Sequence, residues 1–304
     1  NVGGMATEGS GADVCENESH AGLPYATVSG GGASTYADAS GDYVLSISGS
    51  SATVTSGLNG HYFNVNNQAG GDSTLSQNVS APGMANFVHN SANSSEYYRA
   101  EVNAYLHANI VRDFVLDYNP SYPQIANETS FPVNVNISDT CNAYYDYSSI
   151  NFYSAGGGCS NTAFSVVVHH EYGHHLVSTG GSGQGAYGEG MGDVMGVLIT
   201  GDAELARGFF SDDCNNGIRT ADNSHQYPCS GEIHDCGQLI SGCVWDTRQA
   251  LMATEPTDYS DIISNLAVNS ILMHSGTSID PTITLDFLTL DDDEVALDLV
   301  EAVH

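Results

Sequence analysis

Short runs of alternating apolar and polar residues fill the first quarter of the chain. Over residues 1–75 these runs are rich in Gly, Ser, Thr and Val, and turn sequences at Gly30–Gly32, Gly41–Asp42 and Asn59–Gly60 separate them. Alternation with a period of two, broken by glycine turns, is typical of antiparallel strands. The pattern therefore predicts a β-rich N-terminal region, folded as a meander or a sandwich.

The hydrophobic period changes near residue 95. From there to residue 118, apolar side chains recur at helical spacing, and Ser94 or Ser95 can cap the first turn. Extended segments follow as far as Tyr153. After Gly180 the apolar spacing is again helical, and the last predicted helix begins at Asp291. The pattern predicts a mixed chain whose C-terminal part is mainly helical.

The charge balance excludes two classes of partner. The 304 residues include no lysine, five arginines and 36 acids, which gives a formal net charge of −31. Such a surface repels nucleic acid and anionic membranes, so we expect neither as a partner. Because salt screens the self-repulsion of the acids, we expect adaptation to a saline habitat; a general device for solubility is the alternative.

Seven cysteines indicate an oxidising compartment. None forms a C-x2-C pair, and loops rich in Gly, Asn and Ser flank them, which is typical of disulfides. Cys141 and Cys159 enclose a predicted strand–turn–strand segment, and we expect them to pair. The remaining C-terminal cysteines are expected to pair among themselves in one of three connectivities, which would leave Cys15 over. Those four are Cys214, Cys229, Cys236 and Cys243.

The chain begins at Asn1 without a signal-like segment. It contains no apolar run near the ~20 residues that a membrane-spanning helix needs. We therefore expect a processed, secreted, monomeric protein.

The segment 165–181, which reads SVVVHHEYGHHLVSTGG, contains four histidines and a glutamate. One register gives the pattern H-E-x-x-H, with His170, Glu171 and His174. Residues four apart lie on one face of a helix, so both imidazoles can bind one metal ion, while Glu171 can reach a water on that ion without being a ligand. His169 and His175 fall outside this register. The alternative is a histidine-rich helix end that binds no metal.

A catalytic zinc site needs a third protein ligand and one open position. Glu189 follows His174 by fifteen residues and fits the third ligand, and Asp193 stands one helical turn later. Asp193 fits the carboxylate that orients a ligating imidazole. The alternative for both acids is the solvated face of a helix.

Together these motifs resemble the gluzincins, the zinc metallopeptidases of the thermolysin and fungalysin type, over residues 95 to 304. The segment NAYYDYSSINFYSAGG resembles the family's edge strand, which binds the substrate backbone, here with Asn142 and Ala143. The segment GIRTADNS resembles the one whose arginine holds a substrate carbonyl, here Arg219. The segment GEIHDCGQLISGCVW resembles the one whose histidine faces the oxyanion, here His234.

The resemblance implies an α+β fold of the thermolysin-like, two-lobed metallopeptidase type. It divides the chain into a β-rich N-terminal region (1–75), an N-terminal catalytic lobe that carries the H-E-x-x-H helix (76–178) and a mainly helical C-terminal lobe (179–304). It implies a zinc endopeptidase acting on peptides or proteins, with zinc held by His170, His174 and Glu189, and with Glu171 and His234 as catalytic groups.

The sequence also departs from the family, and we expect a divergent branch. The segment between His174 and Glu189 is shorter than in the named families and rich in Gly and Ser. No tyrosine matches the one that assists the oxyanion, although Tyr187 is near. Calcium is a second candidate ion, at the acidic runs Leu290–Glu294 and Ser211–Cys214, but such runs are more often solvated faces.

Two other functions compete with the endopeptidase. The β-rich N-terminal region could belong to an adhesion or binding protein whose metal is structural; such a zinc site is closed by four protein ligands, usually including Cys. A zinc exopeptidase is the alternative within the class, although no site for a free amino terminus is evident.

Overall fold

The structure is a computed structural model, and it describes residues 1–292. Contacts divide it into two compact units. The first unit comprises Asn1–Ile110, Glu128–Val168 and Arg207–Asn215. The second comprises Val111–Asn127, His169–Ala206 and the chain from Asn216 onwards. The three-part division of the chain at residues 75 and 178 remains a prediction.

The first unit contains most of the strands. A three-stranded sheet has the order β2-β1-β8, and an eight-stranded sheet has the order β10-β11-β9-β6-β5-β3-β4, with β7 also paired to β5. The strands are β1 (Val2–Ala6), β2 (Ser19–Gly22), β3 (Ala26–Gly30), β4 (Ala33–Tyr36), β5 (Ser51–Gly60), β6 (Phe63–Asn67), β7 (Thr74–Ser80), β8 (Phe87–His89), β9 (Phe131–Ile137), β10 (Ala143–Tyr145) and β11 (Ile150–Tyr153).

The larger sheet joins strands from distant parts of the sequence. β6 pairs in parallel with β9, with Phe63 beside Phe131 and Val65 beside Val133. Their side chains alternate between buried and partly exposed, as a sheet with one covered face requires. The strands predicted within residues 1–75 therefore form. β3, β4, β5 and β6 share a sheet with strands from residues 131–153, whereas β1 and β2 belong to the smaller sheet.

The second unit is mainly helical. Its apolar residues come chiefly from helices that pack against one another, and the largest fully buried ones include Leu176 and Tyr187. The remaining elements of the described chain are α1 (Glu96–Tyr118), α2 (Ser165–Thr179), α3 (Ala186–Thr200), β12 (Glu204–Leu205), β13 (Arg219–Thr220), α4 (Ile233–Thr254), α5 (Tyr259–Ser270) and α6 (Thr282–Asp292). Two of the five unit boundaries fall within helices, one in α1 and one in α2.

The predicted fold class is confirmed: the chain is α+β, with a β-rich N-terminal region and a helical C-terminal part. The helix near residue 95 is α1, and three of the later predicted helices are α3, α4 and α5. The last predicted helix, from Asp291, lies outside the described residues except for its first two. α6 was not predicted, because Thr282, Ile283 and Thr284 are β-branched and favour strands.

Disulfide pairing is partly as predicted. Cys141 and Cys159 are bonded, with Cα atoms 5.3 Å apart. The prediction that Cys15 is left over is wrong, because it pairs with Cys214 at a Cα distance of 5.3 Å. A backbone hydrogen bond of 2.8 Å from Ala12 N to Arg207 O places these distant segments side by side. Cys229 pairs with Cys236, and Cys243 is free and exposed. The prediction that the four C-terminal cysteines pair among themselves is therefore also wrong, because Cys214 bonds Cys15 instead.

No helix among residues 1–292 is long and apolar enough to cross a membrane.

Candidate active site

Two glycines bring α2 and α3 into close contact in the second unit. A Cβ atom on Gly173 of α2 would lie 2.7 Å from the Gly192 Cα of α3, and one on Gly192 would lie 2.8 Å from His170 Nδ1. Only glycine permits such a close approach of the two backbones. The H-E-x-x-H helix therefore lies directly against the helix that carries Glu189 and Asp193.

The three predicted metal ligands come together at this contact. His170 Nε2 and His174 Nε2 lie 3.3 and 3.7 Å from Glu189 Oε2, and one atom from each residue lies within 4.8 Å of the others. The alternative of a solvated face does not hold, since Glu189 is 8% and Asp193 1% exposed. Two imidazoles and a carboxylate are a donor set that zinc prefers.

The buried oxygen of Glu189 is the observation that fits a cation. Glu189 Oε2 is inaccessible to solvent and accepts no hydrogen bond from the described residues, and a buried carboxylate oxygen is costly unless it has a partner. Burial raises the pKa of Glu189, but His170, His174 and His234 outweigh it and lower the pKa to about 2. The residues present therefore fit a metal ion held by His170, His174 and Glu189.

His170 is oriented by Asp193. Its Nδ1 lies 2.8 Å from Asp193 Oδ1, and since a carboxylate only accepts, Nδ1 donates and Nε2 is left to face Glu189. Burial lowers the pKa of His170, but the two carboxylates of Asp193 and Glu189 prevail and raise it to about 10. The site thus attracts positive charge, either as a proton or as a metal ion.

Arg219 is mostly buried and bonds Asp193, rather than lying on the surface. Its Nε and Nη2 donate to Asp193 Oδ2 and Oδ1 at 2.9 and 2.7 Å. Burial raises the pKa of Asp193, but the Arg219 guanidinium and the His170 imidazole hold it well below its usual range. Sequence reasoning placed Arg219 at the substrate but missed this bidentate pair with Asp193.

Glu171 is buried beside the ligands, with 6% exposure. Burial raises the pKa of its carboxyl to about 7, against the opposing effect of His170. A carboxylate with a pKa near the working pH suits proton transfer, because both protonation states are accessible. Glu171 is therefore a buried carboxylate with a raised pKa next to the ligand set, and its role as a general base stays a prediction.

His234 stands at the start of α4, with its Nε2 3.1 Å from Glu189 Oε2. Its Nδ1 bonds Glu232 Oε1 at 2.8 Å, and its backbone N–H donates to Glu232 Oε2 at 2.9 Å, so the N-cap residue of α4 fixes the ring. The side chain is 43% exposed. Sequence reasoning missed Glu232, because glutamate is not among the residues preferred at a helix N-cap.

His174 has a neutral partner that sequence reasoning also missed. Its Nδ1 lies 2.8 Å from Gln184 Oε1, in the short segment between α2 and α3. His169 and His175, the two histidines outside the motif register, are each 1% exposed, and the group of three ligands does not include them.

Asn142 and Ala143 belong to the first unit. Ala143 begins β10, the strand at one end of the larger sheet, and Asn142 is exposed. The backbone carbonyl of Asn142 accepts from Thr162 Oγ1 at 2.9 Å and from Tyr153 N at 3.3 Å. Their predicted contact with a substrate backbone stays a prediction.

The remaining candidates do not join the ligand group. Tyr187 stacks on His274 with ring centroids 4.0 Å apart, and burial beside Asp286 raises the pKa of its hydroxyl. Among residues 1–292, the predicted calcium run Ser211–Cys214 forms no cluster of three ligand atoms, and Leu290–Glu294 extends beyond the described residues.

The fold is similar to that of a solved metalloproteinase. Twenty-two chains of solved structures match it. One of them is the precursor of protealysin, a metalloproteinase from Serratia proteamaculans, with a TM-score of 0.59 and 13% sequence identity over 81% of this chain and 86% of that chain. At this identity the likeness shows the fold alone. No protein-family model and no curated protein matches the sequence.

Proposed function

We propose that the chain is a secreted, zinc-dependent endopeptidase of a divergent gluzincin branch. The observation that carries this proposal is the convergence of His170 Nε2, His174 Nε2 and Glu189 Oε2 within 4.8 Å, on a metalloproteinase fold. When bound there, zinc would lower the pKa of a water towards ~7 and polarise a substrate carbonyl.

Glu171 moves the proton. It follows His170 on α2 and is rotated by about 100° from it, so its carboxylate can accept a proton from water without joining the ligands. Burial raises its pKa to about 7, so the carboxylate can accept the proton and then deliver it to the leaving amine.

His234 and Arg219 bind and polarise the substrate. The ring of His234 is held at Nδ1 by Glu232, and its Nε2 lies beside the ligand group, 3.1 Å from Glu189 Oε2. When protonated, this nitrogen can donate to an oxyanion, a contribution of about 3–4 kcal/mol for one well-placed donor. Asp193 engages Nε and Nη2 of Arg219, which leaves Nη1 to hold a substrate carbonyl. An extended peptide would pair with the edge strand at Asn142 and Ala143.

The ligand count favours catalysis over a structural ion. A structural zinc site is closed by four protein ligands, whereas the group in residues 1–292 has three members and His234 is outside it. The three disulfides of the described chain support secretion, because such bonds persist in oxidising compartments. The charge of −31 supports the salt-adapted surface.

The test uses an internally quenched peptide library blocked at both termini, which an exopeptidase cannot cut. We expect cleavage that a chelator abolishes and zinc restores. Glu171→Gln should retain zinc and lose about 100- to 10,000-fold in kcat, whereas Glu255→Gln, at the far end of α4, should change neither. Cleavage only of unblocked peptides would favour an exopeptidase. Undiminished cleavage by Glu171→Gln, or unfolding on chelation without any peptidase activity, would overturn the proposal.

A further inference from the structure

The two histidine ligands of the candidate site are held in different ways. His170 Nδ1 bonds a charged carboxylate on α3, that of Asp193. His174 Nδ1 bonds the neutral side chain of Gln184, which lies in the short segment between the two helices. A ligating imidazole depends on such a partner, because the bond at one ring nitrogen determines which nitrogen carries the lone pair.

The side chain of Gln184 forms two hydrogen bonds with His174. Its Oε1 lies 2.8 Å from His174 Nδ1, and its Nε2 donates to the backbone carbonyl of His174 at 2.9 Å. The carbonyl can only accept, so the amide nitrogen must face it and the amide oxygen must face the ring. Nδ1 therefore carries the hydrogen, and Nε2 has its lone pair free. The backbone of His174 thus selects the tautomer of its own ring through Gln184.

The position of the Gln184 side chain depends on the absence of a side chain at residue 188, which is glycine. A Cβ atom on Gly188 would lie 2.5 Å from Gln184 Oε1 and 3.2 Å from His174 Nδ1. The first distance is impossible without moving the amide. Gly188 therefore leaves the space in which the carboxamide of Gln184 lies against the ring.

The two residues before Gln184 are tied to the segment that follows α5. Gly183 N donates to Gly276 O at 3.1 Å. Ser182 Oγ contacts the carbonyls of Ile271 and His274 at 2.8 and 2.7 Å. These bonds fix the segment before α3 independently of the imidazole, so the amide is presented to His174 from a rigid support.

We propose that Gln184 is the positioning residue of His174, and that Gly188 is required to admit it. This inference rests on the proposed metal site, since it states how this chain holds one ligand of that site. The short Gly- and Ser-rich segment between His174 and Glu189 supplies the hydrogen-bond partner that keeps His174 Nε2 directed at the metal.

The test measures zinc affinity by competition with a chromophoric chelator. Gln184→Leu should lower the affinity about 10–100-fold, the usual effect of losing a partner of a ligating histidine. Gln249→Leu, the same change at an exposed position of α4, should leave it unchanged. In the zinc-loaded protein, the protected His174 Nδ1–H signal in nitrogen-detected NMR should be present in the wild type and lost in Gln184→Leu. A merely structural role would lower the stability of the metal-free chain and leave affinity and signal intact.

Gly188→Ala provides an arm that leaves Gln184 in the sequence. In the wild-type background, Gly188→Ala should lower zinc affinity because it displaces the Gln184 amide. In the Gln184→Ala background that amide is absent, so the same substitution should change zinc affinity less than threefold. Alanine is the better helix former, so this variant is expected to fold even if Gln184→Leu does not.

The outcomes separate this inference from the proposed function. A wild-type chain that binds no zinc would contradict the proposed function itself. A wild type that binds zinc, together with Gln184→Leu of equal affinity, would overturn the role of Gln184 and leave the function standing. If Gln184→Leu does not fold, a Gly188→Ala variant that binds zinc with wild-type affinity would also overturn the role of Gln184.

Discussion

The buried pair of Asp193 and Arg219 gives the most quantitative prediction. The Asp193 side chain is 1% exposed and that of Arg219 15%, and Asp193 accepts from both Arg219 and His170. Asp193→Ala would remove the carboxylate that accepts both hydrogen bonds from the Arg219 guanidinium and would leave only the charges of Glu189 and Glu171 to act on it. Removing one partner of a buried ion pair costs about 3–5 kcal/mol, because the other charge stays desolvated.

Replacing Arg219 should cost less than replacing Asp193. In Arg219→Leu, Asp193 keeps its bond to the His170 imidazole, whose raised pKa favours a positive charge. We expect a loss of about 1–3 kcal/mol. The double variant removes both charges, so its cost should fall short of the sum of the single costs by about 2 kcal/mol.

Urea unfolding of the metal-free protein in 0.5 M NaCl measures these costs. Metal must be absent, since a bound ion would add its own stabilisation of the folded state. Trp245 is the single tryptophan and is buried in α4 of the same unit, so its fluorescence reports the transition. A loss below about 1 kcal/mol for Asp193→Ala, or strictly additive costs, would refute the argument that this pair is buried and coupled.

Three further predictions address the ligands, acid stability and salt. Glu189→Ala should lose its zinc on dialysis, which metal analysis measures. If Glu189→Ala retains zinc and Asp193→Ala loses it, then Asp193 is the ligand and Glu189 is the orienting carboxylate. Burial lowers the pKa of His89 to about 4, so its contribution to stability is full above pH 6.5 and lost as the pH falls towards 4. The free energy of unfolding of wild type relative to His89→Gln should therefore drop by about 3 kcal/mol over that range, and a pH-independent difference would contradict this. With a net charge of −31, the melting temperature should rise as NaCl increases from ~0.01 to ~0.5 M at constant metal and neutral pH; a flat curve, or an equal rise with a neutral osmolyte, would count against salt adaptation.

Most of what the sequence predicts about the candidate site follows from the spacing of residues within single helices. His170 and His174 are four residues apart on one helix, so their common face follows from helical geometry alone. Glu189 and Asp193 follow the same rule one helix later. The structure brings these four side chains together as their spacing indicates.

The missed features depend on contacts between distant segments. Cys15 and Cys214 are 199 residues apart, and no local pattern encodes their pairing. The partner of His174 could not be found from spacing, because Gln184 lies in a segment without regular structure and reaches the ring only through the space at Gly188. The pairing of β6 with β9 likewise depends on tertiary packing.

An anomalous difference map at the zinc edge, from crystals of the zinc-loaded chain, would show the proposed metal site itself. We expect a single strong peak about 2.0–2.2 Å from His170 Nε2, His174 Nε2 and a Glu189 carboxylate oxygen, with no fourth protein ligand. A peak at another place in the chain, or one closed by four protein ligands, would contradict this expectation.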